Sequence, residues 1–361
     1  MAFYRKRGNK WQARITYYDN GVKKEVSKGG FKTKSEAKRY AVDMEHRLNN
    51  GKQPTTISFP DYFDEWLQTY KEGKLAHYTM ISYQSVGKIL RQNLNKRIDK
   101  ISRSDYQLFI NDFGKSHAPQ SVKTVNTIIR SCVNSAIYDN YITNDFTKQV
   151  SLTADKSRTR KVEYMNVKEI MRLINVTKEN LQPNAPTYYM VLTAIFTGMR
   201  VGEIAALTWK DIDFKWKTID INKSWDFINN SFKPTKTKGS NRIIRVNDDL
   251  LDCLLELKVN NYDMIFARPC NGVPPSYAGV NETLHTAMEK AGIVKQGFHF
   301  HSLRHSHVAY LLYCGVDLYA ISKRLGHTDI STTSKIYSYL IDEHKAKSDN
   351  QIEGALNNLN R

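Results

Sequence analysis

The chain has 361 residues and carries 54 Lys+Arg against 36 Asp+Glu, a net charge of +18 with a sequence pI of about 9.5. The length supports two or three domains, 40% hydrophobic content marks a folded protein, and the longest apolar run, Tyr188–Phe196, stops short of the roughly 20 residues that cross a bilayer. Cys132, Cys253, Cys270 and Cys314 stand far apart with no CxxC pair, which argues against a disulfide framework or a thiolate zinc site and leads us to expect a soluble protein of a reducing cytoplasm.

Such a charge imbalance favours a polyanionic partner. The basic residues are interleaved with tyrosines and tryptophans, and no basic amphipathic anchor helix stands out. Nucleic acid is therefore favoured over an anionic membrane surface.

Residues 1–50 hold 13 Lys/Arg against 5 Asp/Glu, so the excess is concentrated there. The stretch WQARITYYDNGVKKEV alternates Trp11, Ala13, Ile15 and Tyr17 with polar residues and turns at Asp19-Asn20-Gly21, a hairpin signal. Thr33 and Glu36 form a capping box, behind which Ala37, Tyr40, Ala41, Met44 and Leu48 recur at helical spacing. The first module, residues 1–52, thus reads as a small α+β domain, a sheet backed by one helix. Its outward strand face is basic and suited either to a DNA groove or simply to solvent.

A helical pattern begins at Ser58 with Phe59, Tyr62, Phe63, Trp66, Leu67 and Tyr70, and SVKTVNTIIRSCVNSAIYDN spaces Val122, Val125, Ile128, Ile129, Cys132, Val133, Ala136 and Ile137 as one stripe. No strand-like alternation interrupts before about residue 150, so residues 56–150 read as an all-α module whose aromatics are core. The charged, aperiodic stretch at 151–163 reads as a linker. The third module, 164–361, mixes helices (Val167–Ile174, Tyr188–Phe196, Leu250–Lys258) with strand-like pieces (Thr218–Ile221, Arg242–Val246).

Four features of the third module stand out. TGMRVGEIAALTW sets Arg200 after a glycine at a helix start, with Glu203 one turn on. KPTKTKGSNRIIRV looks like a hairpin tip carrying Lys236 and Lys238, HSLRHSH supplies His301 and Arg304, and RLGHTDISTTSKIYSYL supplies His327 and, ten residues later, Tyr337. Singly, each has a bland explanation as a surface ion pair, a solvated lysine or a satisfied core residue. The histidines of GFHFHSLRHSHVAYLLY also suggest a metal site, since His301 and His305 could share a helix face, but no carboxylate or thiol completes the sphere; His299 reads as a strand-end residue without a role, and His305 and His307 as structural or DNA-backbone neighbours.

Together, the set offers cations, proton-transfer groups and a hydroxyl nucleophile, without the clustered carboxylates that hold Mg²⁺ in two-metal nucleases. A phosphodiester attacked by tyrosine needs these groups. Guanidinium forks meet the negative charge built on the equatorial oxygens, and each donor removed costs about 3 kcal/mol in comparable sites. Tyrosine's reference pKa is near 10, so only about a thousandth is phenolate at neutral pH and a base must help it; His301 is the candidate. A lysine or histidine can protonate the leaving 5′ oxygen.

TGMRVGE at 197–203, KTK at 236–238, HSLR at 301–304, LGH at 325–327 and Tyr337 in KIYSY resemble, in order and spacing, the tyrosine recombinases of the phage integrase family. The resemblance extends over the full length and implies a multi-domain protein. Its parts would be an arm-binding domain with a three-stranded sheet plus helix, an all-α SAM-like core-binding domain, and a mixed, mainly-α catalytic domain of the DNA breaking-rejoining fold. It further implies that Tyr337 attacks the scissile phosphate and forms a 3′-phosphotyrosyl bond, which a 5′-hydroxyl of a second DNA resolves. Arg200, Arg304, His301 and His327 would stabilise the transition state and shuttle protons.

A hairpin lysine would serve as the acid; Lys236 is favoured over Lys238 because it opens the KTxxxxR pattern ending at Arg242. The implied partners are double-stranded DNA attachment sites of core and arm type, three further copies in a tetramer that exchanges C-terminal segments, and accessory proteins, an excisionase and a DNA-bending host factor. No metal or nucleotide cofactor is implied, and the implied location is the bacterial host cytoplasm. Many relatives carry a histidine two residues after the nucleophile where this chain has Tyr339, a second candidate nucleophile. Glu203 reads either as an orienter of its neighbours or as a plain helix-surface acid. The alternatives are a DNA-relaxing enzyme of the type IB topoisomerase kind, against which the basic first module argues, and an inactive DNA-binding relative.

Overall fold

The computed structural model describes residues 2–19, 22–49, 57–159, 162–235, 238–326 and 334. It divides into two units, residues 1–160 and 161–361, taken in turn.

The first unit opens with an antiparallel sheet of β1 (Ala2–Arg7), β2 (Lys10–Asp19) and β3 (Val22–Phe31) in that order, followed by α1 (Lys34–Asn49). Asp19 pairs with Val22, so the strands meet across the Asn20-Gly21 position that the sequence marks as a turn; those two residues lie outside the described ones. Alternation sends Ala13 and Ile15 inward, where they are fully buried against Ala37, Ala41 and Met44 of α1. The helix starts where Thr33 Oγ1 accepts from the Glu36 backbone N–H at 3.1 Å. The other face holds Phe3, 70% exposed, beside Arg14 across the ladder, with Arg5 opposite Gln12.

A separate core gathers α2 (Phe59–Tyr70), α3 (His77–Asn93), α4 (Arg103–Lys115) and α5 (Pro119–Tyr138). The stripe expected on α5 is buried from Val122 to Ala136, and Phe59, Phe63 and Trp66 of α2 pack into the same core. Burying one such side chain contributes about 1.5–3 kcal/mol, which is why amphipathic spacing alone forecasts the bundle. Ser58 caps α2, and Ser102 with Asp105 makes a reciprocal box at α4. The stretch expected as a linker begins as packed chain: Ser151 N–H donates to Gln107 Oε1 at 2.9 Å and Asp155 N–H to Gly114 O at 2.9 Å.

The second unit runs α6 (Val167–Glu179), α7 (Thr187–Thr197), α8 (Val201–Ala205), β4 (Ile212–Asp213), β5 (Thr218–Ile221), β6 (Lys223–Asp226), β7 (Ser231–Pro234), β8 (Arg242–Arg245), α9 (Asp248–Leu255), α10 (Tyr277–Lys290), α11 (Phe300–Tyr313) and α12 (Leu318–Leu325). Helix α7 is its pillar. Tyr189 to Ile195 are buried all round, because α6, α9, α10 and α11 surround it, which explains the unbroken apolar run in the sequence. One sheet has the order β4-β5-β8, and β6 pairs only with β7.

Two expectations are corrected here. The strands flanking the Lys236 stretch do not pair with each other: β7 belongs to the β6-β7 ribbon and β8 to the β4-β5-β8 sheet, since Ile219 and Ile244 must bury together against the core. The chain between β7 and β8 therefore links two sheets and does not close a hairpin between those two strands; Lys236 itself lies outside the described residues. His299, expected at a strand end, is the N-cap of α11, closed in a reciprocal box with Ser302.

A Cβ added at Gly114 would lie 2.1 Å from the Thr153 carbonyl oxygen, a backbone atom with no freedom to retreat. We expect Gly114→Ala to lower stability by about 1–3 kcal/mol in urea unfolding, by prising residues 151–155 off α4.

Candidate active site

Helix α7 ends at Gly198, whose φ of 65° lies in the left-handed region, and a Cβ there would stand 2.7 Å from His307 Cδ2. Glycine thus meets both a backbone and a packing demand. The turn it makes delivers Arg200 to the N-cap of α8.

Arg200 is held by the residue one turn on. Its backbone N–H donates to Glu203 Oε2 at 2.9 Å and its Nη1 to Glu203 Oε1 at 2.7 Å. Glu203, 3% exposed, also takes the buried Arg242, Nη2 to Oε2 at 2.9 Å. Burial by itself would raise this carboxyl, but the hydrogen bonds and charges of Arg242, then Arg200, outweigh it and hold Glu203 at about 2. Glu203 is accordingly an orienter of arginines, which settles the two readings its sequence position allowed.

Arg304, 3% exposed on α11, spends Nη1 on Gly198 O at 2.7 Å and Nη2 on Leu325 O at 2.6 Å. Arg242 Nε donates to Arg324 O at 2.6 Å. The segments carrying TGMR, HSLR and Arg324-Leu325 are therefore joined through guanidinium groups and backbone carbonyls.

His301 stands on the exposed part of α11, 5.3 Å from the His305 ring between centroids. Desolvation first, then the positive surroundings of His305, Arg304, His299 and Arg200, lower it to about 4, so it is neutral at physiological pH and able to accept a proton. His305 is lowered to about 4 by burial, then by Arg304 and His299. Among the described residues no three His, Cys, Asp or Glu side chains are grouped to hold a metal ion. The acids nearest in sequence serve structure: Asp211 caps Thr208 and pairs with Lys223.

Of the six residues expected to carry the chemistry, the structure brings Arg200, His301 and Arg304 together. Lys236, His327 and Tyr337, with Tyr339, lie outside the described residues, as does the Lys238 side chain. Three residues of the arginine network were not expected in the site: Arg242 and Arg324, which carried no role, and His307, read only as a structural or DNA-backbone neighbour and found to be structural. A signal for Arg242 exists in RIIR, where period two puts it on the buried face with Ile244 and leaves Ile243 69% exposed.

Glu203→Gln should cost about 3–5 kcal/mol, because it leaves Arg242 buried against a neutral amide. The depressed carboxyl stabilises the fold fully above about pH 5 and loses that contribution as pH falls toward 2. Unfolding measured across that range should show the gap between wild type and variant closing on the acid side.

Comparison with known proteins accords with this geometry. Residues 163–344 match the phage integrase family, residues 2–48 an arm DNA-binding domain, and residues 58–114 the N-terminal SAM-like domain of phage integrases. The integrase of Staphylococcus phage L54a is 28% identical, covering 89% of this chain and 99% of its own, and the ICEBs1 integrase of Bacillus subtilis is 25% identical, covering 88% and 90%. Among solved structures, the Tn1549 transposon integrase superposes with a TM-score of 0.67 at 17% identity over 78% of this chain and 95% of its own. A lambda integrase dimer does so with 0.61 at 17% identity over 93% of each. The chain belongs to the phage integrase family and is a tyrosine-type site-specific DNA recombinase of a phage or mobile element.

Proposed function

We propose that Tyr337 is the nucleophile that cuts one strand at a core-type attachment site, forming a 3′-phosphotyrosyl bond and releasing a 5′-hydroxyl. The observation that carries this reading is the convergence of Arg200, Arg304 and neutral His301, with the nearby carboxylate of Glu203 already held by Arg200 and Arg242. A guanidinium fixed in advance by buried partners meets the charge growing on the phosphate without reorganisation, the condition under which such groups contribute most. His301 takes the phenolic proton, His327 assists on the phosphate, and Lys236 protonates the leaving 5′ oxygen. Attack of a 5′-hydroxyl from a second DNA reverses the step and rejoins the strands. The phosphotyrosyl bond conserves the energy of the broken phosphodiester, so no nucleotide is consumed.

Two surfaces support separate DNA contacts. On the sheet of the first unit, Phe3, Arg5, Gln12 and Arg14 share the face turned away from α1. In the helical part, α3 and α5 contain no Asp or Glu, while α2 and α4 carry several. The hollow between α3 and α5 is lined by Tyr78, Thr79, Ser82, Gln120, Lys123 and Thr124, hydroxyl, amide and amine groups suited to phosphates and base edges. The first surface would take arm-type sites and the second core-type sites, in domains spanning 1–52 and 56–150 ahead of a catalytic domain at 164–361.

Lambda integrase structures include a dimer on a core site and a tetramer on a Holliday junction. We place this chain in a tetramer of the same kind, acting in the host cytoplasm, its C-terminal segment passing to a neighbouring copy. An apolar groove of about 420 Å³, lined by Val167, Ile170, Met171, Ile195 and Leu311, supports that exchange. An excisionase and a DNA-bending host factor would set direction.

Tyr337→Phe is expected to abolish covalent protein–DNA adducts on a nicked suicide substrate with DNA affinity nearly unchanged; adducts persisting in that variant would move the nucleophile to Tyr339. Affinity for attachment-site DNA should fall linearly on a log–log salt plot, with a slope of about −0.9 per phosphate contacted, and a flat response would refute the two basic surfaces.

A further inference from the structure

Arg324 lies on α12, two residues before Gly326, and its guanidinium reaches three other elements. Nε donates to His307 Nε2 at 3.1 Å, Nη1 to Arg245 O at 2.8 Å and Nη2 to Phe196 O at 3.1 Å. His307, 5% exposed, bonds Ile195 O through Nδ1 at 2.9 Å. Because Nε2 accepts from arginine, Nδ1 carries the proton and donates, so the tautomer is dictated. Among the described residues no carboxylate pairs with Arg324.

The carbonyls so engaged have a common origin. The last turn of a helix leaves its C=O groups without intrahelical donors, and the Gly198 N–H satisfies only Ala194 O of α7. Ile195 O goes to His307 and Phe196 O to Arg324. One Arg–His pair thus holds the helix end four residues ahead of Arg200, and the same arginine anchors the end of α12 just ahead of His327.

We propose that Arg324 and His307 are positioning residues for strand cleavage, a clamp that sets the end of α7, which leads to Arg200, against the end of α12, which in sequence leads to His327. The inference rests on the catalytic roles proposed above for those two residues. Neither clamp residue touches the phosphate; both act through backbone they hold. The clamp governs the rate of the chemical step and leaves affinity for DNA alone.

The test uses the full-length protein and a suicide core site, following single-turnover adduct formation, equilibrium DNA binding and thermal unfolding. Arg324→Met should cleave about 100-fold more slowly or worse, with Kd within about threefold and the variant folded at the assay temperature. Two histidine variants separate the clamp from plain packing. His307→Gln can still offer Oε1 to Arg324, whereas His307→Asn can mimic only the donor to Ile195 O, so Gln should cleave the faster of the two. Combined with Arg324→Met, His307→Asn should add little further loss, as coupled residues do.

A folded, DNA-binding Arg324→Met that cleaves at close to the wild-type rate overturns the proposal. So does an Asn variant that matches or exceeds the Gln variant, and this comparison decides the matter even where Arg324→Met does not fold. Failure of the wild-type protein to form an adduct through Tyr337 would instead sink the assigned chemistry, which keeps the two failures apart.

Discussion

The catalytic unit depends on where the orphan carbonyls at the C-terminal ends of two helices go. Helices α7 and α12 both stop at a glycine in the left-handed region, and both stop just ahead of residues proposed above to act in catalysis, Arg200 and His327. Their terminal oxygens cannot be left unpaired in the interior, where each such group costs about 1–3 kcal/mol. Arginines and a histidine from neighbouring elements take them: His307 and Arg324 at α7, Arg304 at the Gly198 carbonyl beyond it, Arg242 and Arg304 at α12. The negative end of each helix dipole faces cationic or proton-donating groups, so the arrangement is electrostatically favourable as well as geometrically obligatory. Position of the motifs is thereby a by-product of satisfying the backbone.

That economy explains how a chain with an excess of 18 positive charges folds its catalytic unit around arginines. A buried guanidinium needs acceptors, and carboxylates would compete with the DNA phosphate that the proposed function places there. Using carbonyls instead keeps the site net positive. Among the described residues Glu203 is the exception, and it sits where one acid can align Arg200 and Arg242 at once. Elsewhere the sign of charge is segregated: acids on α2 and α4 cap and pair, while α3 and α5 carry none.

The histidine-rich stretch resolves into four different jobs on one helix. His299 caps it, His301 stands open beside Arg304, His305 packs edge-on against His301, and His307 is a buried relay between a carbonyl and an arginine. Their protons are all disfavoured by desolvation and neighbouring positive charge, wherever a shift is seen. A cluster that composition alone presents as a cation site is therefore surrounded by cations, an environment for an anion.

Much was legible in the sequence because it depends on local periodicity. The α5 stripe, the α2 face, the Thr33 cap and the Thr218–Ile221 strand are all set by local pattern, and the order and spacing of TGMR, HSLR, LGH and Tyr337 carry the resemblance to the family to which the chain belongs. What stayed hidden is long-range. Nothing local says that β7 pairs with β6 while β8 pairs with β5, that Glu203 joins Arg242 across 39 residues, or that Arg324 reaches Phe196 across 128. Those partnerships are chosen by which donors and acceptors packing leaves unsatisfied in the interior, a condition that exists only once the helices have met. The sequence by itself determined the family and the motifs on which the proposed chemistry rests; the tertiary structure decided what holds Arg200 and Arg304 still, because orphaned helix-end carbonyls acquire partners only in three dimensions.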